Sequence, residues 1–445
     1  MEWFEALFFL LGMILFFMFL GIPVALAFLA ANIIGAVYFM GGRGPLEVQM
    51  ARGIGQLANN AIPTITSFNL MPVPMFLLMG EIFFFTGLAN KMFTAVDRLM
   101  GKLPARLSFV TVAGGTAFAT LSGSSMGSTA LLGSLMVPEM QKRGYKKHMA
   151  IGPILGTGGL AMLIPPSALA VLLGTLAELD IGALLIAGVL PGLMLAVFYV
   201  ILILGMALYD PTAAPAYEVE HTSLAEKLRL FFVDILPMVS IVIGVILVIM
   251  LGIATPSESA AFGCLGVVIL AALYGSLTWD GLVKSVTGAL KVTTMALLII
   301  FGSATFSALL AFSGASSGLI NWATGFDLNP TTMLLIMFAI LLVLGMFMDQ
   351  LSMMLLTVPI FFPLAQTLGF DLIWFGVIIL LALEISFTTP PFGLLLFVMK
   401  GVSAPGTKMR DIYIAALPFM GCAIVLVGLL IVFPQIALWL PGLGN

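Results

Sequence analysis

The sequence predicts an all-α polytopic membrane protein, and three observations predict it. Of its 445 residues, 61% are hydrophobic and only 8% are charged, whereas a soluble domain carries roughly 25% charged residues. Ten stretches are long and apolar enough to cross a membrane, since a spanning helix needs about 20 such residues. The second half of the chain also repeats landmarks of the first half. This composition excludes a soluble enzyme, a nucleic-acid binder and a disordered protein.

The predicted spans follow one another along the chain. They are 4–20, 23–40, 71–90, 149–175, 182–208, 231–251, 257–276, 291–313, 372–398 and 412–440. The chain opens without a basic segment or a small-residue cleavage site, so we interpret the first stretch as a retained span and not as a signal peptide. Two segments, 45–62 and 279–290, are too hydrophilic to span and are predicted to be interfacial helices.

Two further apolar stretches are interrupted near the middle, 107–140 at Leu121–Ser125 and 331–364 at Met348–Gln350. Lys and Arg concentrate in cytoplasmic loops. They flank both ends of the first stretch, whereas none occurs around the second stretch. We therefore expect two re-entrant helical hairpins that enter the membrane from opposite sides. The flanking basic residues are Lys91, Arg98, Lys102, Arg106, Lys142, Arg143, Lys146 and Lys147.

An internal repeat relates the two halves at a fixed shift of 225 residues. Chance similarity between apolar sequences is the alternative, but it does not readily give one offset for several Pro, Gly and Gln positions. With loops on opposite sides, the halves form an inverted-topology repeat, the usual architecture of secondary transporters. The predicted halves are 1–208 and 231–445, joined by a loop over 209–230. The matches are Pro138 with Pro363, Gln141 with Gln366, Gly144 with Gly369, and Pro165-Pro166 with Pro390-Pro391.

The two diproline points and the two hairpin tips are predicted helix breaks. Proline lacks an N–H and blocks the carbonyl four residues earlier. Carbonyls are therefore freed near Ala161 and Met162, and again near Ser386 and Phe387. Such carbonyls suit Na⁺, and the helix N-termini beyond each break suit a carboxylate. The alternative is that Ser and Gly only allow close packing and that Pro only kinks a helix. The hydroxyls available to complete an ion shell are those of Ser122, Ser124, Ser125 and Thr389.

Four carboxylates lie within or near apolar runs, where ionisable groups are costly and often functional. Asp349, at the second hairpin tip, is the candidate for contact with the ion or the substrate. Glu258 follows Pro256-Ser257 and is predicted to cap a helix N-terminus. Glu81 and Glu384 either serve the site or hydrogen-bond neighbouring helices. No HExxH or P-loop motif is present, so we expect no enzyme, and an ion gradient must supply the energy.

Six motifs, in their order and spacing, give the chain a resemblance to the large, DctM-like membrane subunit of tripartite ATP-independent periplasmic (TRAP) transporters. The resemblance covers nearly the whole chain. The motifs are Gly21-Ile22-Pro23, Ser122-Gly123-Ser124-Ser125, Ile164-Pro165-Pro166-Ser167, Thr255-Pro256-Ser257-Glu258-Ser259-Ala260-Ala261, Gly345-Met346-Phe347-Met348-Asp349 and Thr389-Pro390-Pro391-Phe392-Gly393.

The resemblance implies an elevator-type, Na⁺-driven importer of organic acids in the bacterial inner membrane. Such proteins work with a small membrane subunit and a periplasmic substrate-binding protein. Two sodium sites are implied, the first at the backbone of Ser122, Ser124 and Ser125 with Ala161, Ile164 and Pro166, the second around Asp349 with Ser386 and Thr389. The expected substrate contacts are Ser124, Ser125, Ser167, Asp349, Gln350 and Pro391.

The chain departs from the family pattern in two places. Glycine is frequent in the family where Ala161 and Ser386 stand here, and the second tip reads Asp349-Gln350-Leu351-Ser352 in place of the commoner Asp-Pro form. The resulting interpretation is the translocating subunit of a Na⁺-coupled importer for a small carboxylate. Two alternatives stay open: a self-sufficient ion-coupled anion carrier without a binding protein, and a membrane scaffold that does not transport.

Overall fold

A computed structural model describes residues 2–100, 103–215, 223–326, 328–404 and 406–443, and these residues form helices and turns without a β-strand. The helices are α1 Trp3–Phe19, α2 Val24–Gly35, α3 Leu46–Ile65, α4 Pro72–Phe85, α5 Leu88–Met100, α6 Arg106–Ser122, α7 Ser125–Lys142, α8 Lys147–Gly159, α9 Ala168–Leu176, α10 Ile181–Tyr209, α11 Leu224–Arg229, α12 Leu236–Met250, α13 Pro256–Leu273, α14 Trp279–Phe312, α15 Ala315–Thr324, α16 Pro330–Leu344, α17 Gln350–Thr367, α18 Leu372–Phe387, α19 Leu394–Val402, α20 Met409–Val432 and α21 Gln435–Leu438. The all-helical prediction is confirmed.

Six helices in the described ranges are long and apolar enough to cross a membrane. Four shorter apolar helices, α1, α2 with its π-helical extension to Met40, α16 and α18, accompany them. Several apolar helices of this length are typical of a multi-pass membrane protein. The total of ten crossings stays a prediction. The six are α10, α11 joined to α12 through a π-helical segment, α13, α14, α17 and α20.

Three span boundaries predicted from the sequence are wrong. The stretch 71–90 is not one continuous helix, because the chain turns at Gly87, which has a φ of +76°, and bends by 66° between α4 and α5. The stretch 279–290 is not a separate interfacial helix but the start of α14, whose 34 residues extend about 51 Å. The last span ends at Val432, not at 440, because Pro434 follows.

The connecting loop predicted over 209–230 is partly helical. Ser223 caps α11 by accepting from the backbone N–H of Glu226 at 3.2 Å, and a π-helical segment from Leu230 to Ile235 continues into α12. Residues 216–222 of the predicted loop lie outside the described residues.

Helix boundaries repeat with the shift seen in the sequence. α7 begins at Ser125 and α17 at Gln350, 225 residues later, and both helices contain 18 residues. The pairs α6 and α16, α8 and α18, α9 and α19, and α10 and α20 follow the same shift to within a few residues. The opposite orientation of the two halves in a membrane stays a prediction.

Two ion pairs join the start of α8 to the ends of neighbouring helices. Lys146 Nζ lies 2.5 Å from the Asp210 carboxylate beyond α10, and Lys147 Nζ lies 2.6 Å from Asp411 on α20. The hydrogen bond from Lys146 lowers the pKa of the Asp210 carboxyl from 3.8 to about 2, so this acid is ionised at neutral pH. The two ion pairs therefore tie the start of α8 to the end of α10 and to the start of α20.

The two interrupted spans form the centre of the molecule. α18 is buried continuously from Trp374 to Phe387, and α8 from Met149 to Gly159. Glycines allow the neighbouring helices to approach them. A Cβ on Gly188 of α10, for example, would lie 2.2 Å from the Leu163 carbonyl oxygen just beyond α8. Close backbone packing against α10 thus fixes the break beyond α8.

We expect Gly188→Ala to lower the midpoint of thermal unfolding in detergent, because its methyl group meets a backbone oxygen that cannot rotate away. Overpacking of this kind costs about 1–3 kcal/mol. Gly205→Ala, on the same helix, is the matched control, since a Cβ there meets nothing within 4 Å and alanine favours helix. Equal midpoints for the two variants would contradict the close approach of α10 to the break.

Candidate functional site

The first helix pair, α6 and α7, ends in a turn that lies against the diproline break after α8. Gly123 adopts a φ of +58° between the two helices, and the Ser124 hydroxyl accepts from the backbone N–H of Gly127 at 3.1 Å. A Cβ on Gly123 would lie 3.6 Å from the Pro166 carbonyl oxygen and 3.8 Å from the Ala168 nitrogen. The turn over Leu121–Ser125 therefore meets the first break.

The second helix pair, α16 and α17, makes a corresponding contact. A Cβ on Gly345, at the end of α16, would lie 2.2 Å from the Ser386 side chain of α18. Gln350 reaches the other half, where its Nε2 lies 3.5 Å from the Met162 sulfur. The rings of Phe347 and Phe392 pack with centroids 5.7 Å apart. The second tip thus contacts both breaks.

At the first break one of the two predicted free carbonyls is occupied. The Ser167 hydroxyl donates to the Met162 carbonyl at 2.8 Å and accepts from the Ala170 N–H at 3.2 Å, so it also caps α9. The Met162 carbonyl as a free ligand is therefore a wrong prediction. The Ala161 carbonyl loses both helical donors, because the Ile164 N–H donates to Leu160 at 3.1 Å and Pro165 has no N–H.

At the second break the free carbonyl is that of Phe387. The Thr389 N–H donates to the Ser386 carbonyl at 3.1 Å, so the prediction that the Ser386 carbonyl is free is wrong. The Phe387 carbonyl would need an N–H from position 390 or 391, and both are prolines. A Cβ on Gly393 would lie 2.6 Å from this oxygen and 2.8 Å from the Thr389 carbonyl oxygen. The Thr389 carbonyl accepts from the Gly393 N–H at 3.0 Å, so the Phe387 carbonyl is the one beside Gly393 that lacks a helical donor.

A cavity of about 160 Å³ lies where the two tips face α4 and α14. It brings together four predicted site residues, Ser124, Ser125, Asp349 and Gln350. Seven other predicted site residues do not line this cavity: Ala161, Ile164, Pro166, Ser167, Ser386, Thr389 and Pro391. The side chain of Ser122 is not among those that the structure describes. The lining residues are Val73, Leu77, Glu81, Gly123, Ser124, Ser125, Met126, Ala168, Leu169, Leu172, Val292, Ala296, Asp349, Gln350, Leu351 and Phe387.

Two hydroxyls next to this cavity have no hydrogen-bond partner among the described residues. Ser125 Oγ and Thr129 Oγ1 are buried on successive turns of α7. Thr129 Oγ1 faces α8, because a Cβ on Gly158 would lie 2.4 Å from it. Buried hydroxyls normally find a partner. These two atoms therefore fit a bound ligand that accepts or donates at this point.

Asp349 combines two roles. It lines the cavity, and its carboxylate caps α17 by accepting from the N–H groups of Leu351 at 3.1 Å and Ser352 at 3.3 Å and from the Ser352 hydroxyl. The carboxylate is thus fixed at a helix N-terminus, where the helix dipole favours negative charge. The sequence did not predict that the N-terminus of α17 compensates the negative charge of Asp349.

The three other acids in or near apolar runs have different surroundings. Glu258 forms a capping box with Thr255 at the start of α13, which confirms its predicted capping role. Glu384 is buried and its Oε1 accepts from the Tyr199 hydroxyl of α10 at 3.4 Å, which confirms the interhelical hydrogen bond. The same carboxyl packs on Gly159, where a Cβ would lie 2.0 Å from Oε1. Glu81 lies in the cavity lining on α4, a position that the sequence alone did not give.

This architecture defines a membrane transporter fold. The chain is similar to the crystal structure of the Alcanivorax borkumensis YdaH transporter, with a TM-score of 0.68, 12% identity and coverage of 93% of this chain and 99% of that one. The family is also defined: residues 11–436 match the model for the tripartite ATP-independent periplasmic transporter, DctM component. The chain belongs to this family, and the resemblance seen in the sequence is confirmed.

Two relatives illustrate the range of the family. The C4-dicarboxylate TRAP transporter large permease protein DctM of Pseudomonas aeruginosa is 31% identical over 393 residues, covering 87% of this chain and 90% of that protein. The isethionate TRAP transporter permease protein DctMQ of Oleidesulfovibrio alaskensis is 26% identical over 442 residues, covering 97% of this chain but 66% of that protein.

We expect Ser167→Ala to lower the thermal unfolding midpoint, because the buried Met162 carbonyl loses its donor and α9 loses its cap. An unsatisfied buried group of this kind costs about 1–3 kcal/mol. Ser134→Ala is the control: that hydroxyl is exposed and bonds only the Leu131 carbonyl of its own helix at 2.9 Å. An unchanged midpoint for Ser167→Ala would mean that water serves both groups in its place.

Proposed function

We propose that this chain is the translocating subunit of a secondary importer, driven by a sodium gradient, for a small organic acid that a periplasmic binding protein delivers. One observation carries the proposal: both helix-pair tips contact diproline breaks around one cavity. Irregular backbone at membrane depth is tolerated where it is buried in protein or lines a polar cavity. Broken helices that meet at a repeat interface are the usual site of substrate and coupling ions in secondary transporters.

We assign two sodium sites to the two breaks. The first uses the backbone from Ser122 to Ser125 with Ala161, Ile164 and Pro166. Support comes from the Ala161 carbonyl, which lacks its helical donors, and from the unpartnered Ser125 hydroxyl. Oxygen donors of this kind suit a hard cation. Backbone ligation also tolerates Ala161 where the family often has glycine.

The second sodium site uses Asp349, Ser386 and Thr389. To these we add the Phe387 carbonyl, which faces the Gly393 gap beside the Thr389 carbonyl. The Thr389 hydroxyl donates to the Ile385 carbonyl at 2.6 Å, so its oxygen keeps lone pairs for a cation. Bound sodium would supply positive charge beside the cavity and so favour entry of an anion.

The substrate carboxylate belongs at the N-terminus of α7. The Ser124 hydroxyl occupies the Gly127 N–H, while the N–H groups of Ser125 and Met126 have no acceptor within the helix. Such N–H groups and the helix dipole bind carboxylates. Gln350 and Asp349 line the same cavity. Ser167 caps α9 at the first break, and Pro391 is part of the second diproline.

The two helix pairs with α8, α9, α18 and α19 are proposed to move together, as an elevator, against a scaffold that includes α4 and α14. The cavity lies at the boundary between these groups. The helix pairs would then be re-entrant hairpins of an inverted repeat in the inner membrane. A small membrane subunit is the proposed partner, in line with the DctMQ relative, whose name joins two components and of whose length 66% is matched.

Reconstituted uptake tests the proposal. Liposomes that contain this chain with its small subunit and binding protein should accumulate substrate when an inward Na⁺ gradient is imposed, and should fail to do so when either partner is omitted. Uptake that a proton gradient drives and sodium does not affect would overturn the ion assignment. Full uptake without the binding protein would favour the self-sufficient carrier.

Gly393→Ala should raise the sodium concentration for half-maximal uptake about tenfold, a change of roughly 1.4 kcal/mol, because its methyl group fills the space between the Phe387 and Thr389 carbonyls. The Gly393 backbone (φ −51°, ψ 120°) is open to alanine. Gly401→Ala, on the same helix, is the control, since a Cβ there meets nothing within 4 Å.

Ser125→Ala provides a second variant in the same assay. It should weaken sodium dependence without lowering the unfolding midpoint, since its hydroxyl bonds no described residue. Unchanged sodium dependence in both variants would remove the breaks from the ion path.

A further inference from the structure

Glu81 is an acidic side chain on the scaffold wall of the cavity. It lies in the second half of α4, half-buried, with its carboxyl against α14: a Cβ on Gly288 would lie 2.8 Å from Glu81 Oε2. The Ser285 hydroxyl donates to the Glu81 backbone carbonyl at 3.1 Å and leaves the side chain available. Within the described ranges, no Lys, Arg or His forms an ion pair with this carboxylate.

The charge of the cavity lining is negative. Asp349 and Glu81 are its acids, and its described lining contains no Lys, Arg or His. The Asp349 charge is balanced by the N-terminus of α17, but Glu81 lies nearer the C-terminal end of α4, where the helix dipole does not favour a carboxylate. Lys291, next to Val292 on α14, is exposed and does not line the cavity. A purely anionic substrate would therefore meet an uncompensated carboxylate.

The surroundings of Glu81 indicate which cation it suits. Val73 and Leu77 precede it on the same helix, and Val292 and Ala296 face it from α14. A metal cation needs several oxygen ligands, and this apolar wall offers none besides the carboxylate. A carbon-substituted ammonium group needs only one carboxylate and apolar contact, and this wall of the cavity offers both.

We propose that the substrate is a compact zwitterion whose carboxylate binds the N-terminus of α7 and whose substituted ammonium group faces Glu81. The inference rests on the proposed function and specifies its substrate class. Because Glu81 belongs to the scaffold, its contact with the ammonium group exists only while the cavity lies at this level. Glu81 is thus a specificity-determining residue of the site.

Binding to the full chain in lipid nanodiscs in NaCl tests this inference with three probes. Glycine betaine carries both charges, tert-butylacetate has the same shape and carboxylate but no cationic nitrogen, and succinate carries two negative charges. Glycine betaine should bind with a Kd at least about tenfold lower than either anion, because its trimethylammonium charge is attracted to the Glu81 carboxylate and neither anion offers a positive charge there. Glu81→Gln should abolish this preference, whereas Glu47→Gln, at an exposed residue of α3, should preserve it.

Three outcomes would overturn the inference: either anion binds as tightly as glycine betaine, none of the three binds, or Glu81→Gln retains the preference. Exchanging NaCl for KCl in the same nanodiscs tests the sodium sites separately, through the unfolding midpoint. If sodium stabilises the chain while charge selectivity is absent, only the substrate class falls. If sodium has no effect on stability while selectivity persists, the proposed ion coupling falls and the zwitterion site stands.

Discussion

The structure depends on the rule that a backbone polar group in an apolar interior must have a partner. Two diproline sequences remove donors in the most buried helices, so the chain must supply replacements there. At the first break the Ser167 hydroxyl serves the Met162 carbonyl. At the second break the residue 225 positions later is Phe392, which has no hydroxyl, and the Phe387 carbonyl instead faces the gap at Gly393. The duplicated breaks are therefore chemically unequal.

Because the two breaks differ, they contribute different groups to the candidate site. The first break contributes an α7 N-terminus with available N–H groups and an unpartnered Ser125 hydroxyl. The second contributes carbonyl oxygens and the capped Asp349. The proposed carboxylate site thus lies in the first half, whereas the two proposed sodium sites draw on both halves. The halves meet where Gln350 of the second tip contacts Met162 beside the first break.

Much of the fold could be predicted from the sequence, because proline, glycine and capping residues act locally. The breaks beyond α8 and α18, the tips at Ser124 and Asp349, and the cap of Glu258 all follow from short-range chemistry. The bend at Gly87 and the continuity of α14 could not be predicted, because a positive φ and a polar face on a long helix leave no unambiguous signal. The hydrogen bond that the Ser167 hydroxyl donates across the first break to the Met162 carbonyl could not be predicted from the sequence either.

The cavity was only half predictable. Ser124, Ser125, Asp349 and Gln350 carry the polar signature of helix tips, and the structure brings them together. Glu81, Val292 and Ala296 enter the lining because α4 packs on α14, and that packing depends on contacts between residues about 200 positions apart. No local pattern encodes it.

Glu384 and Gly159 hold equivalent positions in the two halves, 225 residues apart, and they touch. Glutamate at both positions would force two carboxylates into one space, while glycine at both would leave a void beneath Tyr199. Neither half can therefore replace the other, and a homodimer of either half alone could not build this centre.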